Sequence, residues 1–145
     1  MEIKVDDAAL IEYIETLKAR SINMYPAMRE IAGHMSDAIE KNFEAEGRPR
    51  WQSLAETTIR QREKQGYWPG RILQQTGQLV ASITQKVTPN YAMVGTNKVY
   101  AAIQHLGGNA GRGGKVNIPA RPYLTLERPE IENMKNTLLK YITMR

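Results

Sequence analysis

Leu10, Ile11, Ile14 and Leu17 recur at the spacing of one helical face, so the chain opens on an amphipathic helix. Asp6 and Asp7 supply its start residues and place acids where a helix N-terminus favours them. Ile3 and Val5, just before, alternate as a short strand does. The pattern pauses at Ser21–Asn23, and Pro26 marks either the first turn of a second helix or a kink. Met28, Ile31, Met35, Ala38, Ile39 and Phe43 form the stripe of that second helix, and Gly47 is its stop. A methionine-rich stripe of this kind reads as core packing rather than a cofactor contact.

Beyond Gly47 the periodicity changes. Gly47-Arg-Pro-Arg-Trp51 is a rigid turn ending in an aromatic. Ser53 and Glu56 have capping-box spacing and predict a third helix over about 54–64, ended by Gly66. The segment Gly66–Gly70, GYWPG, is a loop carrying Tyr67 and Trp68, and Thr76-Gly77 is a second break. Ile83, Gln85 and Val87 alternate with Ser82, Thr84 and Lys86, as in a half-buried strand. Thr88-Pro-Asn-Tyr91 has turn residues, and 91–95 returns as the second strand of an antiparallel hairpin. Asn97 is positioned to cap a short helix with Tyr100, Ile103 and Leu106. A glycine-rich stretch follows. Ile118 to Leu124 is then extended, because Pro119 and Pro122 oppose a central strand. A last helix, about 129–143, is expected to bury Ile131, Met134, Leu138 and Ile142. No repeat or linker divides the chain, so the pattern predicts one α+β domain over residues 1–145: leading amphipathic helices, a small antiparallel or mixed sheet with a hairpin, and a C-terminal helix.

Composition adds three constraints. At 145 residues the chain is long enough to bury a core without staples. It has no cysteine, which excludes a disulfide framework and suits a reducing cytoplasm. The first ten residues lack the apolar run of a signal peptide, and no stretch approaches the roughly 18 apolar residues of a membrane span, so a soluble intracellular protein is expected.

Charge is unevenly placed. Residues 1–47 carry 5 Lys+Arg against 10 Asp+Glu, a net of −5, and residues 48–145 carry 15 against 5, a net of +10. An acidic helical third followed by a basic body admits two readings. One is two solvated helix faces; the other is self-complementarity, with the acidic part of one copy facing the basic part of the next.

Catalytic chemistry finds little support. His34 lies on the second helix far in sequence from any partner, and His105 ends a short helix with no neighbouring carboxylate. Without cysteine or HExxH-type spacing, a metal site would need mainly carboxylates. The expectation is no enzyme, no metal and no cofactor. The glycine-rich stretch from Gly107 also fails as a phosphate loop. Gly114-Lys115 would need a glycine where Asn109 stands, and Val116 occupies the position of the magnesium-binding Ser or Thr. What remains is a flexible, cationic loop with five glycines between Gly107 and Gly114, expected to order on a partner. Arg112, Lys115, Tyr67 and Trp68 are the candidate partner contacts.

Nucleic-acid binding is the competing reading. Arg48, Arg50, Arg60, Arg62, Lys64 and Arg71 cluster in sequence with Trp51, Tyr67 and Trp68 among them, a pattern able to grip phosphates and stack bases. Glu56 and Glu63 interrupt the patch, and no recognised nucleic-acid motif is present.

The residues in the body of the chain form an ordered series. Trp51-x-x-Leu54-x-x-Thr57 comes first, then Ile72-Leu73-Gln74-x-Thr76-Gly77-x-Leu79-x-x-Ser82-Ile83. Val94-Gly95-Thr96-Asn97-x-x-Tyr100-Ala101-x-Ile103-x-His105-x-Gly107 follows, and Ile118-Pro119-Ala120-Arg121-Pro122-Tyr123-Leu124 completes it. This series resembles the phage virion morphogenesis family, the tail-completion or neck proteins of Mu-like and related contractile-tailed phages. It departs at Ser53, where many relatives carry proline, and at Tyr123, where the family often reads phenylalanine.

The resemblance implies a non-catalytic α+β structural protein. It would work as a ring at the head-proximal tail end, assembled in the host cytoplasm with other tail and head-connector proteins and carried in the virion. Read physically, Trp51, Leu54, Leu73, Leu79 and Ile83 are core anchors. Gly77, Gly95 and Gly107 are positions of backbone permissiveness, and Arg121 is a structural arginine tied to carbonyls or a carboxylate. The motif thus mostly specifies the fold, and the interaction sites are expected in the Gly108–Lys115 loop, the GYWPG segment and the acidic helices.

Overall fold

The computed structural model describes residues 8–143. The expected strand at Ile3 and Val5, and the start residues Asp6 and Asp7, lie outside the described residues. Six helices and four short strands follow in order: α1 (Ala8–Ile22), α2 (Tyr25–Glu44), α3 (Glu56–Lys64), α4 (Gln78–Ala81), β1 (Thr84–Val87), β2 (Ala92–Gly95), α5 (Ala101–Leu106), β3 (Gly108–Ala110), β4 (Val116–Ile118) and α6 (Arg128–Thr143). The arrangement is α+β, with helices at both ends and two separate two-stranded antiparallel sheets between them.

Helix α2 is the spine. Pro26 sits in its first turn, where the missing N–H costs nothing. Ala27, Ile31, Ala38, Ile39, Asn42 and Phe43 make its buried face. The helix ends in a left-handed stop: Glu46 and Gly47 both take positive φ, and the Gly47 N–H reaches back to the Asn42 carbonyl at 2.7 Å. A side chain at Gly47 would lie 2.5 Å from the Trp51 ring, so the turn that delivers the tryptophan needs glycine twice over. Against α2 pack α6 and both strands of the β1–β2 hairpin, whose register pairs Thr84 with Gly95 and Val87 with Ala92. The Thr88 hydroxyl closes that turn by accepting the N–H of Tyr91 at 3.1 Å.

The main core forms near the C-terminal end of α2. Ile39, Phe43, Trp51, Ile72, Leu79, Ala101 and Tyr123 are buried together, with Leu54, Leu73, Val80, Ile83 and Val94 packed against them. Phe43 meets Trp51 edge-on at 5.9 Å between centroids and Tyr123 at 5.2 Å.

Several expectations change. Helix α3 begins at Glu56 with Ala55 as its cap and no side-chain capping bond. Ser53 is therefore not a helix start; its carbonyl serves Arg121 instead. Helix α5 begins at Ala101 after Tyr100, so Asn97 does not cap it. The glycine-rich stretch is a second hairpin: β3 pairs with β4, Gly108 opposite Ile118, through a 3-10 turn at Arg112–Gly114. Five positive-φ glycines let so short a segment turn back on itself. Gly95 takes no positive φ and has open space beside it, so no backbone freedom is required there. On α1, Ile11 and Ile14 are 51% and 42% exposed, and on α6 Thr137, rather than the apolar stripe, is the buried residue.

Candidate functional site

The segment from Arg121 to Thr125 has no regular structure, so its backbone groups need partners from elsewhere. Buried Asn42, on α2, supplies two: its Nδ2 donates to the Tyr123 carbonyl at 2.8 Å and the Thr125 carbonyl at 2.9 Å. The Trp51 indole N–H donates to the Pro122 carbonyl at 3.0 Å. His105 takes the other side, its Nδ1 accepting the Tyr123 N–H at 3.2 Å, with the two rings edge-on at 5.0 Å. This assigns the neutral ring with its proton on Nε2, and burial lowers the imidazole pKa below its ordinary 6.5. The Tyr123 hydroxyl donates to the Ala101 carbonyl at 2.9 Å, and burial, then the nearby Tyr100, raises its pKa.

Arg48 locks this segment to both long helices. Its Nε donates to Asn42 Oδ1 at 2.8 Å, and one terminal nitrogen donates to the Ala38 carbonyl at 2.9 Å. The other reaches Glu130 at 2.7 Å and Glu127 at 3.1 Å. Burial pushes the Glu130 carboxyl up, but the Arg48 hydrogen bond, the Glu127 N–H and the charges of Arg48 and Lys41 outweigh it and hold the pKa below 4.5. Neither Asn42 nor the fourfold role of Arg48 is visible in the sequence, because these partners lie up to 83 residues apart and leave no period to read.

The two histidines occupy packing positions. His34 lies between α2 and α6, 3.3 Å from the buried Thr137 hydroxyl and 3.9 Å from Glu30. Among the described residues no group of three or more potential metal ligands comes together, and no helix is long and apolar enough to cross a membrane.

Two cations of the supposed basic patch, Arg48 and Arg62, are spent inside the molecule, and Arg50, Arg60, Lys64 and Arg71 are exposed. Arg48 is bound as above. Arg62 is buried, with one guanidinium N–H on the Arg71 carbonyl at 3.0 Å. Arg50 pairs with Glu46 and Arg60 with Glu56, while Lys64 and Arg71 enter no ion pair among the described residues. Trp51 is buried and cannot stack on a base; Tyr67 is exposed and Trp68 half-buried. Arg112 and Lys115 are both exposed at the tip of the β3–β4 hairpin, on a different loop from Tyr67 and Trp68.

An open cleft of about 1020 Å³ lies between the segment before α3, helix α3, the turn into α4, helix α5 and the outer hairpin. Leu54, Thr57, Leu73, Thr76, Leu79, Tyr100 and Arg121 of the family-like series line it, together with Arg62, several glutamines and Val116 to Pro119. Of the rest of that series, Trp51 and Ala101 pack the core, His105 is half-buried against Tyr123, Gly77 (φ +70) precedes α4, Pro122 and Leu124 are exposed on either side of the buried Tyr123, and Gly107 sits beneath β4. A Cβ on Gly107 would fall 2.6 Å from the Ala120 nitrogen. Arg121 is buried on the cleft wall; its guanidinium donates to the Gln52 and Ser53 carbonyls at 3.3 and 3.5 Å. The series therefore builds a surface as well as a core, which its sequence spacing alone does not reveal.

Comparisons with known proteins bear on the family of the chain. The model of the phage virion morphogenesis family matches residues 5–143. The chain is 46% identical over 127 residues to the Mu-like prophage FluMu G protein 2 of Haemophilus influenzae, covering 87% of this chain and 84% of that protein. It is 29% identical over 120 residues to the putative capsid assembly protein G of Escherichia phage Mu, covering 79% of this chain and 77% of the relative. No solved structure matches. With a family match running nearly from end to end, this chain belongs to the phage virion morphogenesis family.

Proposed function

We propose that this protein completes the phage tail and supports stable joining of tail to head, as a ring of subunits at the head-proximal tail end. The observation that carries this reading is the family match over residues 5–143, with a Mu-like prophage G protein at 46% identity among the relatives. The phage Mu relative is named for capsid assembly, and the head–tail joint is where a capsid and a tail protein meet. Assembly takes place in the host cytoplasm, and the product stays in the neck or tail of the virion.

The role is structural rather than catalytic. In support, His105 spends its Nδ1 on the backbone and His34 lies against Thr137, so each histidine already has a packing function. Arg112 and Lys115 project from a hairpin tip suited to a neighbouring tail or head-connector protein. Because each contact is small, symmetry in a ring supplies avidity. Direct nucleic-acid binding fits less well, since Arg48 and Arg62 are committed inside the fold and Trp51 is buried.

Gold labelling of a C-terminally tagged copy on purified tails tests the placement. Label at the head-proximal end supports the reading, and label elsewhere, or none on tails, overturns it.

A further inference from the structure

Two features of the molecule lack a counterpart within one chain. The first is the cleft beside α3. It holds two buried guanidinium groups, Arg62 and Arg121, each 6% exposed and neither in an ion pair among the described residues. Their carbonyl contacts satisfy part of each fork, but Arg62 Nε is buried with no hydrogen-bond partner. Burial, and for Arg121 then the charge of Arg62, disfavours the charged form of both. A pair of like charges taken from water without a counter-charge is costly and invites a carboxylate. The remaining walls are neutral: amides and hydroxyls such as Gln75, Gln78 and Thr57, beside Leu54, Leu73 and Ile118. That lining is built for an amphipathic protein segment with an acidic anchor, since a nucleic-acid backbone would call for a line of cations. Its volume, at the top of the ~300–1,000 Å³ typical of small-ligand pockets, gives room for side chains from a helix face.

The second is helix α1. Ile11 and Ile14 are 51% and 42% exposed, two large apolar groups left in solvent on one face. Glu15 falls one turn beyond Ile11 and shares its face, and Glu12 flanks it. Glu12 enters no ion pair among the described residues, and Glu15 has only an exposed i,i+3 contact with Lys18, of a kind worth little.

The two features do not touch within one chain. Helix α1 joins the start of α2 and packs on α6, and none of its residues lines the cleft, whose Leu54, Leu73 and Leu79 belong to the core around Phe43. A contact between them is therefore one between copies, and such a head-to-tail contact closes into a ring when the rotation allows. We infer that the cleft receives the acidic, apolar face of α1 from the neighbouring subunit, with the carboxylates of Glu12 and Glu15 set against Arg62 and Arg121. The inference rests on the ring reading above and names its contact.

The absence of cysteine makes a direct test available. Phage tails carrying the chain with both Ile11→Cys and Thr57→Cys are purified, oxidised and run on a non-reducing gel. A ladder of covalent multimers is expected, and adding Glu12→Gln with Glu15→Gln should cut it about tenfold, the factor that 1.4 kcal/mol represents. Both acids are exposed, so thermal unfolding of this variant should match the parent. Multimers from Ile11→Cys alone would mean that α1 meets α1, and a cross-link from Thr57→Cys to a different tail protein would mean another occupant. Either outcome overturns the inference. Tail-bound protein that stays monomeric on the gel overturns it while leaving the tail-end role standing; protein absent from tails overturns both.

Discussion

The amide of Asn42 donates to the carbonyl of Tyr123 at 2.8 Å, joining the last turn of α2 to a segment 81 residues later. Both residues are 1% exposed, so this bond has no solvent alternative. Asn42 also bonds Thr125 and accepts from Arg48, so it is the point where the spine, the Gly47 turn and the entry to α6 are fastened. Asn42→Leu should destabilise the fold by about 3 kcal/mol, because it leaves buried carbonyls and one guanidinium N–H unsatisfied. Asn42→Asp keeps the acceptor for Arg48 but places a carboxylate against two carbonyl oxygens, and should do no better. Urea denaturation with the m-value held constant measures both.

The Arg48 fork predicts an acid-side loss of stability. Glu130 has a folded pKa below its unfolded 4.5, so its contribution is complete above that pH and is lost as pH falls through the folded value. Glu130→Gln should flatten this part of the stability profile below pH 4.5. Arg48→Lys should cost about 2 kcal/mol, since an ammonium cannot serve Asn42, Ala38 and Glu130 in one plane.

His105 predicts a second window at milder pH. Its folded pKa lies below the unfolded 6.5, so the neutral ring favours the folded state above that value. Acidification from 6.5 toward the folded value should lower the melting temperature, as protonation removes the Nδ1 acceptor from the Tyr123 N–H. His105→Asn, which presents an oxygen near the Nδ1 position, should retain stability at neutral pH and lose this dependence. His105→Ala should be less stable at every pH. Melting curves from pH 5 to 8 separate the three, that range being about where histidine titrates.

The glycines of the motif should differ in kind. Gly107→Ala forces a Cβ to 2.6 Å from the Ala120 nitrogen and 2.9 Å from the Ile118 carbonyl, at a φ of +73°. It should destabilise by more than about 2 kcal/mol, through strain and displacement of β4. Gly95→Ala meets nothing within 4 Å and should be near neutral. Thermal unfolding of the two single variants is the check, and similar losses in both would contradict this assignment.

These positions show what the sequence could carry. Helix α2 and the β1–β2 hairpin were legible because Ile31, Ile39 and Phe43, and Ile83 and Val87, follow one clear period each. Helix α4 has four residues, too few for any period, and β3 and β4 have three each amid glycines whose freedom reads equally well as flexibility. The apolar stripe of α1 identified a helix correctly but implied burial, because periodicity cannot say whether a face packs within the chain. The cleft was hidden for a related reason. Arg62 looks like one of six surface cations in sequence, and only the chain path buries it beside Arg121.

The hairpin tip supplies a prediction about assembly alone. Arg112 and Lys115 are exposed, so Arg112→Ala with Lys115→Ala should leave the melting temperature unchanged and reduce the yield of joined particles. Full particle yield from this variant would remove the tip charges from the partner contact.

The central claim is work at the joint between tail and head, and electron microscopy of lysates from the parent phage or prophage lacking this one gene tests it most directly. The account predicts filled heads and separate tails, or tails with abnormal ends, restored to joined particles when the gene is supplied in trans. Complete, joined particles in the absence of the gene would contradict it.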